Sequence, residues 1–71
     1  MKQGVTIKKN YKVVILTPSD VMTTYWYTKE QAVSYLDMYS TIDKDFLSGV
    51  VQEKTDSSYK VIHYCTKHRI S

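Results

Sequence analysis

Both histidines of this chain and its one cysteine fall within the run His63-Tyr64-Cys65-Thr66-Lys67-His68. Two imidazoles and a thiolate are suitable zinc ligands. His63 and Cys65, two residues apart, share a face if the run is a strand; His68 follows close to the last residue. The paired spacings of structural zinc sites are missing, and no fourth ligand presents itself. A half-buried strand with an inert thiol and two ordinary histidines explains the same residues with fewer assumptions. No metal site and no cofactor are therefore expected. Asp37, Asp43 and Asp45 form a second cluster of chemically capable groups. Carboxylates near a helix end are usually solvated. There is no Gly-rich phosphate loop, no H-E-x-x-H and no G-x-S-x-G. No catalytic residue is assigned, and the chain is read as a non-enzyme.

A third constellation joins aromatic and basic residues. Tyr25-Trp26-Tyr27 and Tyr64 offer flat faces for stacking bases, and lysines gather towards both ends of the chain. Lys2, Lys8, Lys9 and Lys12 precede the first acid; Lys60, Lys67 and Arg69 follow the last. Basic ends around an acidic middle suit single-stranded nucleic acid. Against that reading stand a single arginine, no basic helix and no helix-turn-helix or RNP pattern. Solubility, and protection of strand edges by lysine, account for the same charges. Nucleic acid is kept as the alternative partner.

These residues must be positioned by a small α+β domain. Tyr11–Thr17 reads as the best strand, with Tyr11, Val13 and Ile15 on one face and Lys12, Val14 and Leu16 on the other. Pro18 cannot donate to a ladder and ends it. Thr17-Pro18-Ser19-Asp20 has the residues of a turn. Met22–Tyr27 is read as a second strand, although Ser19 or Asp20 could instead cap a longer helix from Val21. Thr28-Lys29-Glu30-Gln31 fits a capping box, with Tyr27 placed to pack on Ala32 as a hydrophobic staple. The helix is predicted over Lys29–Ile42, about 21 Å at ~1.5 Å per residue. Its apolar stripe is Ala32, Tyr35, Leu36, Tyr39 and Ile42. Phe46 and Leu47 are expected to tuck under the helix end. Gly49–Lys54 and Tyr59–Thr66 should form a hairpin around Thr55-Asp56-Ser57-Ser58. In the last strand Tyr59, Val61, His63 and Cys65 are assigned to one face, Ile62 and Tyr64 to the other. The order is β-β-α-β-β: one helix on one face of a three- to four-stranded antiparallel sheet. Residues 1–10 form a basic lead in which Val5 and Ile7 offer at most a short strand.

One helix leaves one sheet face uncovered. If Tyr27 packs back on Ala32, Tyr25 points to the helix and Trp26 points away from it. A Trp offers 150–250 Å2 of surface and is costly to leave wet. The expected interface residues are Val14, Leu16, Trp26 and Tyr64, and the expected partner is a second copy of the chain. Size favours the same conclusion. With 71 residues, a chain buries only ~60% of its unfolded surface and has a marginal core, to which a disulfide, a metal or oligomerisation supplies the remainder. One cysteine excludes an intrachain disulfide, so a homodimer is the simplest route. No apolar run approaches the ~20 residues of a membrane span, and no signal-peptide pattern follows the leading lysines. The lone thiol suits a reducing compartment, so a cytoplasmic protein without membrane association is expected.

Three segments carry a family likeness: Tyr-Lys-Val-Val-Ile-Leu-Thr-Pro at 11–18, Thr-Thr-Tyr-Trp-Tyr-Thr-Lys-Glu-Gln-Ala-Val-Ser-Tyr-Leu at 23–36, and Tyr-Lys-Val-Ile-His-Tyr at 59–64. The chain resembles the YopT family of small prophage-encoded proteins from Gram-positive bacteria. The resemblance implies a homodimer of one helix and three strands with no assigned activity, and it transfers no catalytic residue. It points to an accessory protein of a prophage that presents a surface to a host or phage protein.

Overall fold

A tight hairpin organises the first half of the chain. The Thr17 amide donates to the Asp20 carbonyl at 2.9 Å, and the Thr17 hydroxyl donates to the same oxygen at 3.1 Å. This closure pairs Leu16 with Val21 and fixes the register of the two strands it joins. The computed structural model describes residues 8–66. In chain order it contains β1 (Tyr11–Leu16), β2 (Val21–Trp26), α1 (Lys29–Ile42), β3 (Ser48–Lys54) and β4 (Tyr59–Thr66). Val5, Ile7 and His68 lie outside the described residues. The segment from Val21 is a strand rather than a helix, and the sheet has four strands.

The sheet order is β2-β1-β3-β4, and each neighbouring pair is antiparallel. β2 and β3 flank β1 and so run parallel to each other, which is why a helix rather than a turn connects them. β1 occupies the middle because it is the most continuously apolar segment; Val13 and Ile15 are buried from solvent. The helix begins as its sequence dictates. The Thr28 hydroxyl accepts from the Gln31 amide at 3.1 Å. The Gln31 side chain reaches back one residue further than a standard capping box, to the Tyr27 amide at 3.3 Å. Asp43 ends the helix in extended backbone, its amide bonded to the Tyr39 carbonyl.

The core is one layer between helix and sheet: Val13, Ile15, Ala32, Leu36, Phe46 and Val51. Phe46 is buried under the helix end as expected, but Leu47 is 41% exposed. Ile42 is not part of the buried stripe and is 70% exposed. Gly49 permits the closest approach of the two layers. A Cβ at this position would collide with the Leu36 Cδ1 and stand 3.3 Å from the Phe46 ring.

Candidate interaction surface on the open sheet face

Register assigns every strand residue to one of two faces. The helix side carries Tyr11, Val13 and Ile15 from β1 and, directly across from them, Trp26, Thr24 and Met22 from β2. Trp26 therefore lies beneath its own helix. Its ring centroid is 4.9 Å from that of Tyr35, and Tyr35 is 5.8 Å from Tyr39. The Trp26 indole N–H donates to the Thr24 hydroxyl at 2.8 Å. This corrects the orientation inferred from the sequence. The β2 pleat continues unbroken to Trp26, whereas Tyr27 has already left the strand. Tyr27 is 47% exposed under the Lys9 ammonium, 5.2 Å from its ring centre. Tyr25, expected inside, takes the place on the open face and is 49% exposed.

β4 requires a second correction. Val51 pairs with His63 but Gln52 pairs with Val61, so Ile62 is an extra residue in a bulge. The bulge changes the phase of the pleat. Ile62, His63 and Cys65 lie on the helix side, and Ile62 and Cys65 pack on the core. Tyr59, Val61 and Tyr64 lie on the open face at 37%, 49% and 69% exposure.

The open face can be read as rows across the sheet. One row is Val21, Leu16, Ser48 and Thr66; the next is Thr23, Val14, Val50 and Tyr64. A third is Tyr25, Lys12, Gln52 and Val61, and the last holds Lys54 and Tyr59. Val14, Leu16 and Tyr64 of the anticipated interface are thus brought onto one continuous surface; Trp26 is not. Val21, Tyr25, Val50 and Val61 were missed. The hairpin register would have found the first two, and only the bulge reveals Val61. Together the apolar side chains here expose about 600 Å2, the upper end for the largest apolar patch on a monomer.

Charge is arranged differently. Among the described residues the open face carries Lys12 and Lys54 and no acid. The Lys12 ammonium sits 4.0 Å above the centre of the Tyr59 ring. Charges also separate along the strands. Among the described residues, the end at which α1 begins holds Lys8, Lys9, Lys12, Lys29, Lys54 and Lys60 against Glu30, Glu53 and Asp56. The half towards the β1–β2 turn holds, again among the described residues, Asp20, Asp37, Asp43 and Asp45 against Lys44. The helix macrodipole has the same sense, positive at its N-terminus and negative at its C-terminus.

The groups with chemical potential are dispersed. His63 Nε2 lies 3.4 Å from Asp37 Oδ1, a contact between β4 and α1 that is open to solvent. Asp43 accepts from the Asp45 amide at 2.9 Å, a local turn contact. No three His, Cys, Asp or Glu residues gather as a metal site among the described residues. A shallow hollow of about 260 Å3 beside Lys29, Glu30, Val33 and Ser34 opens widely to solvent. Two tyrosines are perturbed. Tyr11 donates to Glu53 at 3.2 Å, and this bond, then burial, holds its hydroxyl above the ordinary phenol pKa. Burial first, then the Asp43 carboxylate, raises that of Tyr39, whose hydroxyl is also 3.6 Å from the Met22 sulfur.

Compared with protein-family models, curated proteins and solved structures, the chain matches none. No helix among the described residues is long and apolar enough to cross a membrane.

Proposed function

We propose that this protein works without catalysis, as a homodimer whose two open sheet faces pack on each other. The observation that carries this reading is the apolar centre of that face. Val14, Leu16, Val50, Val61 and Tyr64 form a contiguous surface on the side without a helix. Two such faces stacked ~10 Å apart form a sandwich in the ordinary sheet-on-sheet manner. They would remove about 1,200 Å2 from water, at the lower end of specific interfaces. The helices then face outward and form the surface offered to a host or phage protein, in keeping with the YopT-like sequence pattern. A reducing cytoplasm suits the free thiol of Cys65.

Single-stranded nucleic acid is the competing occupant. Tyr25, Tyr59 and Tyr64 with Lys12 and Lys54 supply stacking and charge. The aliphatic centre favours the second copy, because valine and leucine offer neither a stacking plane nor a phosphate contact.

Sedimentation equilibrium tests the reading. The protein is expected to be dimeric at ~100 μM, where even a modest interface is populated. Tyr64→Lys places a charge at the most exposed aromatic of the patch and is expected to give a folded monomer with an unchanged far-UV spectrum. A wild-type monomer at that concentration refutes the proposal.

A further inference from the structure

We infer that the second copy seats antiparallel to the first, with Lys12 of each chain over the Asp20 end of the other. The inference rests on the homodimer reading and specifies its geometry. Stacked sheets with two-fold symmetry have two aligned solutions, strands parallel or strands antiparallel. The parallel solution brings Lys12 and Lys54 towards their own symmetry mates on a face that holds no acid among the described residues. It also gathers the acids of both chains, Asp20 among them, at one end of the pair. Like charges placed together in this way are strongly unfavourable.

The antiparallel solution removes each of these conflicts. With the axis near Val14 and Val50, the central aliphatic row meets its own copy. The row of Tyr25 and Lys12 then lies over the row of Val21 and Leu16. Asp20 immediately precedes Val21, in the exposed β1–β2 turn. The Lys12 stem can lie along Leu16 of the partner while its ammonium reaches that carboxylate. Orientation is thus set by charge, while adhesion comes from the apolar centre. This division matches the usual role of electrostatics in selecting one geometry among several.

A charge-swap series measured by sedimentation tests the seating. Lys12→Glu alone and Asp20→Lys alone are each expected to weaken self-association about tenfold at low salt. The double variant restores complementarity within the antiparallel pair and is expected to recover most of the loss. It should also fail to mix with wild type, since each mixed pair sets like charges together. Free mixing of the double variant with wild type would show parallel seating and overturn the inference while leaving the homodimer standing. Monomeric wild type would remove both. Spin labels at Ser57 in the β3–β4 turn, with Cys65→Ser, give a direct reading. Antiparallel copies place them beyond ~25 Å, parallel copies well inside it. If Lys12→Glu leaves self-association untouched but abolishes binding of a labelled single-stranded oligonucleotide, Lys12 serves a nucleic acid and the inference is wrong.

Discussion

Tyr11 shows how a single side chain can carry a pH dependence of stability. Its hydroxyl donates across the sheet to Glu53, and Glu30 adds further negative charge nearby. All of these favour the neutral phenol, so the folded pKa lies above the ordinary 10.0. The resulting stabilisation is fully present below the unfolded value and is lost as pH rises through it towards the folded one. Tyr39 acts in the same direction through burial and Asp43. Urea midpoints are therefore expected to hold between about pH 7 and pH 9 and to fall above about pH 10. Tyr11→Phe should be less stable than wild type near neutrality but lose less on going to alkaline pH. An equal alkaline loss in both proteins would show that Tyr11 has no part in it. The bond was not legible in the sequence, because residues 11 and 53 meet only through the β1–β3 register.

Elements were more legible than the faces they present. Helix α1 begins and ends where the Thr28 cap and the apolar spacing put it; β4 has its expected bounds, and β1, β2 and β3 differ from theirs by a residue. These signals are local. Facing depends on register, which is not. Trp26 faces outward only if the strand pleat is carried through Tyr27, past the true end of β2. Closing the hairpin at Thr17–Asp20 and counting back would have placed Trp26 opposite Tyr11 on the buried side. The bulge at Ile62 had no such remedy, since no glycine or proline marks it. Layer spacing, in contrast, depends on one residue that can be tested. Gly49 sits where Leu36, Phe46 and the Val14 carbonyl converge. Leu36 is fully buried and has no room to withdraw. Gly49→Ala is expected to destabilise the fold by about 1–3 kcal/mol, the usual cost of overpacking a filled core. Denaturant unfolding at matched protein concentration measures this directly. A neutral or stabilising result would mean that α1 can lift from the sheet at little cost.

On the scale of the whole molecule, one face of the sheet does most of the work of folding. Among the described residues the six buried core side chains all lie between helix and sheet. A chain of 71 residues with so thin a core is near the size at which a fold needs help from association. The sequence-based case for an interface leaned on an outward Trp26, and the structure overturns that part of it by placing Trp26 beneath the helix; Val14, Leu16 and Tyr64 still share the open face, and Tyr25 lies there with them. If the open face completes the core in a second copy, stability becomes a property of the pair. Mass action then requires the melting temperature to rise with protein concentration. For two chains unfolding together, each tenfold increase should raise Tm by about 3–6 °C. Calorimetry from about 5 to 500 μM would show the trend. Tyr64→Lys should melt lower and at one temperature throughout, since a monomer gains nothing from crowding with its own kind. Added salt should lower the wild-type Tm more than that of the variant, because screening weakens the attraction between opposite ends of the paired chains. A wild-type Tm that ignores both concentration and salt, and equals that of Tyr64→Lys, would mean that the single helix and sheet suffice for stability and that the apolar face is kept open for a different partner.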